Sequence, residues 1–409
     1  MAREDKDVVV GLDIGTAKIM VVVAEILPGG TLKLAGLGVA PSNGLKRGVV
    51  VNIDATVQSI QQALKEAELM ADCRIQRVYT GITGSHIRGI NSSGMVAIKD
   101  KEVTAADVAR EVETARAINI SSDQRLLLVE AQEFVIDGQD VKEPIGMSGI
   151  RLEAKIHIVT GAQSAAENIL KCVRRCGLEV EQLMLNPLAS SQAVLPDDAR
   201  ELGVALVDIG AGTTDVAIFT GGAIRHTAVL PIAGDLITSD IAMALRTPTK
   251  DAEDIKVESG YAKQLLADPE AQVEVPGLGD RSPRMLSKQA LAGVIEPRVE
   301  EIFSLVQQVI RESGYEEVLS SGIVLTGGSC VMPGMVELGE DIFLKPVRRG
   351  LPKYSSALAD MIAQPRAATV MGLLEEARLA RMRGYKVAQK AGSMKTAFGS
   401  VKDWFVGNF

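Results

Sequence analysis

The sequence predicts a two-lobed α/β protein, because one strand–turn–strand unit occurs twice in a chain long enough for several domains. Residues 8–24 (VVVGLDIGTAKIMVVVA) match residues 203–220 (GVALVDIGAGTTDVAIFT) in pattern and in letters. The equivalent aspartates, Asp13 and Asp208, lie 195 positions apart, a spacing that fits two related lobes and not a solenoid of short repeats. With 409 residues, 46% hydrophobic and 23% charged, the chain is of a size and composition for two or more domains with real cores.

Each copy reads as a hairpin. β-Branched residues fill the flanks, and glycine and threonine occupy the turn after Asp-Ile-Gly. Such a tip suits phosphate: glycine lets the backbone approach an oxyanion, threonine hydroxyls donate to it, and an aspartate can orient a hydrated divalent cation beside it. Mg²⁺ fits this donor set better than a cation held by protein alone. A third turn follows at 323–335 (IVLTGGSCVMPGM), where a buried-type strand runs into glycines and then toward a helix. Neither a G-x-G-x-x-G dinucleotide fingerprint nor a G-x-x-x-x-G-K-[ST] loop is present, so a Rossmann dehydrogenase and a P-loop NTPase are unsupported.

Composition sets further bounds. The apolar runs stop well short of the roughly 18 residues of a membrane span, and the N-terminus lacks a signal-peptide core, so a cytoplasmic chain is expected. Four cysteines without metal-ligand spacing indicate buried or idle thiols. His86, His157 and His226 are isolated in sequence and read as structural. The net charge of −8 argues against a nucleic-acid partner. That charge is uneven: residues 377–409 carry +6 and the remainder −14. Phe398, the only tryptophan Trp404, Phe405 and Phe409 cluster in the last twelve residues. On a helical wheel of about 100° per residue, Met394, Phe398, Val401, Trp404, Phe405 and Phe409 share one face. Lys402 flanks it, placed for lipid phosphates, and the basic stretch ahead of it suits a linker drawn to an anionic leaflet.

The motifs resemble those of the actin, Hsp70 and sugar-kinase superfamily. Its first phosphate motif is similar to 11–19, its second to 207–219, its adenosine motif to 326–333, and its ribose- and base-contacting helix to Ala252, Glu253 and Lys256. Segments 186–191 and 364–374 stand where the family has hinge-like connections. Within that superfamily the chain resembles the FtsA family of bacterial cell-division proteins, through 67–73 (AELMADC), 148–151 (SGIR), 225–227, 238–242 (TSDIA) and 294–298 (VIEPR).

The resemblance implies a fold of duplicated ribonuclease-H-like lobes clamping ATP and Mg²⁺. Asp13, Gly15, Thr16 and Lys18 would serve from the first hairpin, and Asp208, Gly210, Gly212, Thr213, Thr214 and Asp215 from the second. Gly327, Gly328, Glu253 and Lys256 would hold the nucleoside, with Asp13 and Asp208 nearest the metal. It implies lobe 1 (subdomain 1A) from 1–83, 162–195 and 359–385, and an inserted α+β subdomain 1C over 84–161. Lobe 2 (subdomain 2A) would span 196–227 and 304–358, subdomain 2B 228–303, a linker 386–392 and a membrane-targeting helix 393–409. Within the insert, alternating stretches near 95–98, 126–134 and 155–160 surround a helix over 105–117 with Thr104 as N-cap. A polar break at Asp197, Asp198, Arg200 and Glu201 reads as a surface loop between the lobes, and 286–313 as a helix.

Implied partners are the C-terminal peptide of FtsZ, anionic lipids of the inner membrane, further copies in a filament and later divisome membrane proteins. From the basic cluster that includes Arg281, the residues Arg284, Lys288 and Arg298 would receive the acidic FtsZ peptide, and Met70 stands near a longitudinal filament contact or in the core. One departure bears on turnover. Hydrolysing relatives carry Glu or Gln where this chain has Asn186, too short and uncharged for efficient base work, so slow or absent hydrolysis is expected. A pilus-assembly-type adaptor and a small-molecule kinase of the same superfamily are the alternatives. An Hsp70-like chaperone would need a peptide-binding domain, for which only about 33 residues follow the nucleotide domain.

Overall fold

The computed structural model describes residues 7–99, 101–279, 282–354 and 362–384. Two five-stranded sheets carry the same topology. In the first, Val8–Ile14 pairs antiparallel with Lys18–Ile26, which pairs antiparallel with Leu32–Pro41; Arg77–Ile82 and Glu179–Leu185 extend the other side in parallel. In the second, Val204–Ile209, Thr214–Thr220 and Ala223–Leu230 repeat the antiparallel meander, and Ile323–Thr326 and Val347–Arg349 repeat the parallel pair.

The near-continuous apolar letters of the central strands follow from cover on both faces. Side chains alternate along a strand, so Leu12, Val21 and Gly38, which are register partners, share one face, and Gly11 and Val22 the other. The helix Ile53–Ala71 lies on the first face, so close that a Cβ on Gly38 would fall 1.9 Å from the Ala63 carbonyl oxygen. The helix Ala368–Met382 lies on the second, where a Cβ on Gly11 would meet the Val370 carbonyl at 2.8 Å. Lobe 2 is covered by Gly234–Leu245, Lys288–Ser313 and Met335–Phe343, and the tilted ring pair Phe303–Phe343, 5.1 Å apart, sits in its core. The helix Asn186–Val194 packs against both Ala368–Met382 and the second sheet, and so joins the lobes.

A separate core belongs to a four-stranded sheet of Arg88–Ala97, Gln124–Ile136, Gln139–Val141 and Arg151–Ala162, backed by the helix Ala105–Arg116. That helix opens as its sequence predicts. Thr104 caps it, and Asp107 returns a bond to the Thr104 backbone in a capping box. The strands run further than the alternating letters suggest, and the register partners Lys155 and Glu133 form a cross-strand ion pair at 3.2 Å.

Two local expectations are corrected. The polar break after Pro196 is a short helix, Asp197–Leu202, not a loop. Its acidic first turn suits a helix N-terminus, and Arg200 folds back over the Phe219 ring at 5.2 Å. The helix expected from residue 286 begins at Lys288: Ser287 is extended and caps it by accepting from the Ala290 amide, which leaves Arg284–Ser287 as an edge strand. Met70 is 48% exposed near the end of its helix, so it is not a core residue. His157 is structural, bonded through both ring nitrogens to Asn91 (2.6 Å) and Thr227 (2.9 Å). Arg281 and the terminal segment with Met394, Phe398, Val401, Lys402, Trp404, Phe405 and Phe409 lie outside the described residues.

Candidate nucleotide site between two phosphate hairpins

Both hairpin tips close in the same way. Ile14 pairs with Ile19 around a four-residue loop whose Gly15 amide donates to the Lys18 carbonyl at 3.0 Å; Ile209 pairs with Thr214 around an equal loop whose Gly210 amide donates to the Thr213 carbonyl at 2.9 Å. The sequence folds this way because glycine tolerates the turn and the β-branched flanks hold the strands in register. The tips meet across the lobes, since a Cβ on Gly212 would lie 2.6 Å from Thr16 Oγ1.

At the base of the tips lie Asp13, Asp208 and Asp215, all buried. Burial pushes the Asp13 carboxyl up to about 6, against the pull of Lys18 and with the push of Asp208. Burial likewise raises Asp215 to about 7, helped by the neighbouring Asp208 charge. Asp208 is raised by burial and held back by a hydrogen bond from Ser190 Oγ at 2.5 Å. Lys18 is lowered to about 8 by burial, opposed by Asp13, and its ammonium donates to the Arg366 carbonyl. Three buried carboxyl groups, with Lys18 acting on Asp13 and Asp208 only, leave this pocket short of positive charge.

The remaining predicted residues join the same wall. Ser329 Oγ and the Gly234 amide both bond the Gly210 carbonyl, at 2.7 and 3.2 Å, which brings the 323–335 turn onto the second hairpin. Gly327 has φ +86, and a Cβ there would fall 2.4 Å from Asp208 Oδ1, so only glycine fits. Gly328 is exposed, and a Cβ there would meet only the Arg366 Cβ, in ordinary contact at 3.8 Å. Lys256 is buried and donates to the Gly234 carbonyl (3.2 Å), Thr238 (2.8 Å) and Glu253 (2.6 Å), so it braces this wall while Glu253 stays half exposed. Thr16 accepts from the Gly48 amide at 3.0 Å; Thr213 donates to Asp215 at 3.1 Å, and Thr214 to the Ile232 carbonyl at 2.7 Å.

Reasoning from sequence missed Thr83, Ser190 and the Arg47–Gly48 turn, none of which lies in a phosphate motif. Thr83 donates to Asp215 from the other lobe. Among the described residues, the buried Asn186 Oδ1 has no hydrogen-bond partner; it is directed at Gly81, whose Cβ would lie 2.0 Å from it.

Arg284, Lys288 and Arg298 lie apart from this pocket, on the strand and helix that begin at Arg284. Arg298 is clamped by Asp240, with Nε at 2.5 Å and Nη2 at 3.0 Å from the two carboxylate oxygens, and also pairs with Glu301. Arg284 is exposed and donates to the Leu245 carbonyl.

The family model "Cell division protein FtsA" matches residues 205–372, and "SHS2 domain inserted in FTSA" matches 84–160. The Cell division protein FtsA of Pseudomonas aeruginosa is 53% identical over 408 residues, covering 98% of both chains. The chain belongs to the FtsA family. The FtsA of Escherichia coli K12 is 44% identical over 394 residues, covering 94% of each chain. Among solved structures, the PilM–PilN type IV pilus biogenesis complex aligns with a TM-score of 0.65 at 19% identity, covering 90% of this chain and 98% of that one. MreB5 of Spiroplasma citri bound to ADP aligns at 0.56 and 15% identity, covering 92% and 98%. These likenesses give the fold: an actin-like pair of lobes, with the FtsA-type insert carried on the first.

Proposed function

We propose that this FtsA-family chain binds Mg-ATP between its hairpins as a conformational ligand, polymerises on the cytoplasmic face of the inner membrane at the septum, and tethers FtsZ there. The observation that carries the nucleotide reading is the convergence of two identically closed glycine–threonine tips on three buried aspartates. Mg²⁺ suits that pocket: it keeps water, takes one or two carboxylates and binds phosphate oxygens. Asp13 and Asp208 would hold it through water, and it would supply the missing positive charge. Gly15 would let the backbone approach the phosphates, the amides of Thr16, Gly212 and Thr213 and the Thr16 hydroxyl would donate to them, and Gly328 would leave room beside the nucleoside. The MreB5 structure bound to ADP supports a nucleotide in a fold of this kind.

Asn186 favours slow hydrolysis. It carries no charge with which to take a proton from water, and its oxygen is turned into the backbone at Gly81. The ligand then acts by favouring the closed arrangement of lobes, which sets subunit geometry in a filament. Many copies on one filament multiply a weak terminal anchor, 393–409, by avidity. Arg284, Lys288 and Arg298 form the face for the acidic FtsZ peptide, and subdomain 1C is the surface for later divisome membrane proteins.

Co-sedimentation tests the reading as a whole. With Mg-ATP and anionic vesicles, full-length protein should carry FtsZ into the pellet, and Asp208→Asn should reduce this to the level seen without nucleotide. Equal pelleting of FtsZ with and without nucleotide would contradict it.

A further inference from the structure

A small hairpin beside the phosphate tips has no place in the reading so far. Strands Leu45–Lys46 and Val49–Val50 are joined by Arg47 and Gly48, with φ of +50 and +77. Two successive left-handed residues make the tight turn that matches strand twist, for which Asn-Gly is the unstrained choice. Arginine at the first position carries a conformational cost, and such strain collects where a side chain is needed in one place.

The turn is wedged between the two lobes. The Gly48 amide donates to Thr16 of the first phosphate hairpin, and a Cβ on Gly48 would lie 3.0 Å from Thr83 Cγ2 and 3.2 Å from Thr213 Cγ2. On the second hairpin, a Cβ on Gly212 would lie 2.9 Å from the Arg47 Cα itself. Arg47 therefore starts its side chain at the point where the two tips meet. It is exposed and enters no ion pair among the described residues. Lys18 is committed to the Arg366 carbonyl, and Lys256 to Gly234, Thr238 and Glu253.

The 323–335 turn packs on the second hairpin through Ser329 and Gly327; with the nucleoside held there, as proposed above, the end of the phosphate chain would lie nearest the meeting of the tips. We propose that Arg47 binds the terminal phosphate of a bound nucleoside triphosphate, making the 45–50 hairpin a strap that distinguishes triphosphate from diphosphate. This rests on the nucleotide reading above. The chemistry is that of a planar guanidinium, which offers paired N–H donors to phosphate oxygens. A diphosphate leaves the arginine without its partner.

Calorimetric titration of the full-length protein with Mg-ADP and with the slowly hydrolysed analogue Mg-AMPPNP tests it. Arg47→Gln keeps the backbone demand and removes the charge. It should weaken AMPPNP about tenfold or more while moving ADP less than twofold, and Arg47→Lys should recover part of the loss. Unchanged affinity for both ligands in Arg47→Gln would overturn the proposal and leave the nucleotide site standing. Equal loss of both ligands would also overturn it, by making Arg47 a brace of the strap. Failure of the unsubstituted protein to bind either nucleotide would remove the nucleotide reading and this inference with it.

Discussion

Thr83 donates its hydroxyl to the Asp215 carboxylate across the two lobes. Thr83 follows the strand Arg77–Ile82 and immediately precedes the inserted domain, while Asp215 stands in the second phosphate hairpin. One buried bond thus ties the root of the insert to the candidate nucleotide pocket. Thr83→Val, close in shape but without the hydroxyl, should destabilise the protein by about 1–3 kcal/mol, the cost of leaving a buried carboxyl oxygen short of a hydrogen-bond partner. Urea unfolding would show a lower midpoint. An unchanged midpoint would mean that water replaces the hydroxyl.

The raised carboxyls give a pH dependence with a definite sign. Folded Asp13 near 6 and Asp215 near 7 hold protons that the unfolded chain, with carboxyls near 3.8, has released. Between those values the folded state binds more protons, so the stability these two groups contribute is fullest below about 4 and is lost as pH rises through 6 to 7. Asp215→Asn should therefore stabilise the nucleotide-free protein at pH 8 and do so less at pH 5. Mg-ATP, which favours the ionised carboxylates, should release protons on binding near pH 6.5. Calorimetry in buffers of different ionisation enthalpy measures that release directly.

Gly327→Ala sets backbone against the site. Its φ of +86 and a Cβ 2.4 Å from both Asp208 Oδ1 and the Ile209 carbonyl oxygen leave no room for a methyl group. The strain should cost about 1–3 kcal/mol or displace Asp208, and nucleotide binding should fall with it. Gly328→Ala, whose methyl would make only an ordinary contact with Arg366, should cost little stability and weaken nucleotide by occupying the cradle. Thermal melting with and without Mg-ATP separates the two effects.

Much of this architecture is legible in the letters. The duplicated Asp-Ile-Gly hairpins are visible because strand, turn and strand are contiguous and glycine and β-branched residues mark each part. The capped helix at Thr104 is visible for the same local reason. The links between distant segments are not. Ser190 on Asp208, Thr83 on Asp215 and Arg366 on Lys18 join separate elements, each through an ordinary side chain or carbonyl outside the phosphate motifs. Arg298 looks like one more cation of a basic cluster; its clamp by Asp240 depends on how two helices pack. The short helix at Asp197–Leu202 reads as a loop because its polar letters conceal Ala199 and the arginine folded onto Phe219.

That clamp yields a prediction for the FtsZ face. Asp240 holds the Arg298 guanidinium that is proposed to receive the acidic peptide. Asp240→Asn should free it and tighten binding of the FtsZ C-terminal peptide several-fold, whereas Arg298→Glu should abolish binding and place three acids together. Fluorescence anisotropy of a labelled peptide reads both variants. Weaker binding in Asp240→Asn would show that the clamp orients Arg298 for the peptide.

The central claim is a membrane tether assembled by nucleotide, and Trp404 reports on it directly, being the only tryptophan and lying in the proposed anchor. Its emission should be followed as anionic vesicles are added to the full-length protein with and without Mg-ATP. The account predicts a blue shift that strengthens with Mg-ATP and is absent with neutral vesicles, and loss of vesicle co-sedimentation on truncation at Gly392. Unchanged emission, with the protein left in the supernatant under every condition, would contradict it.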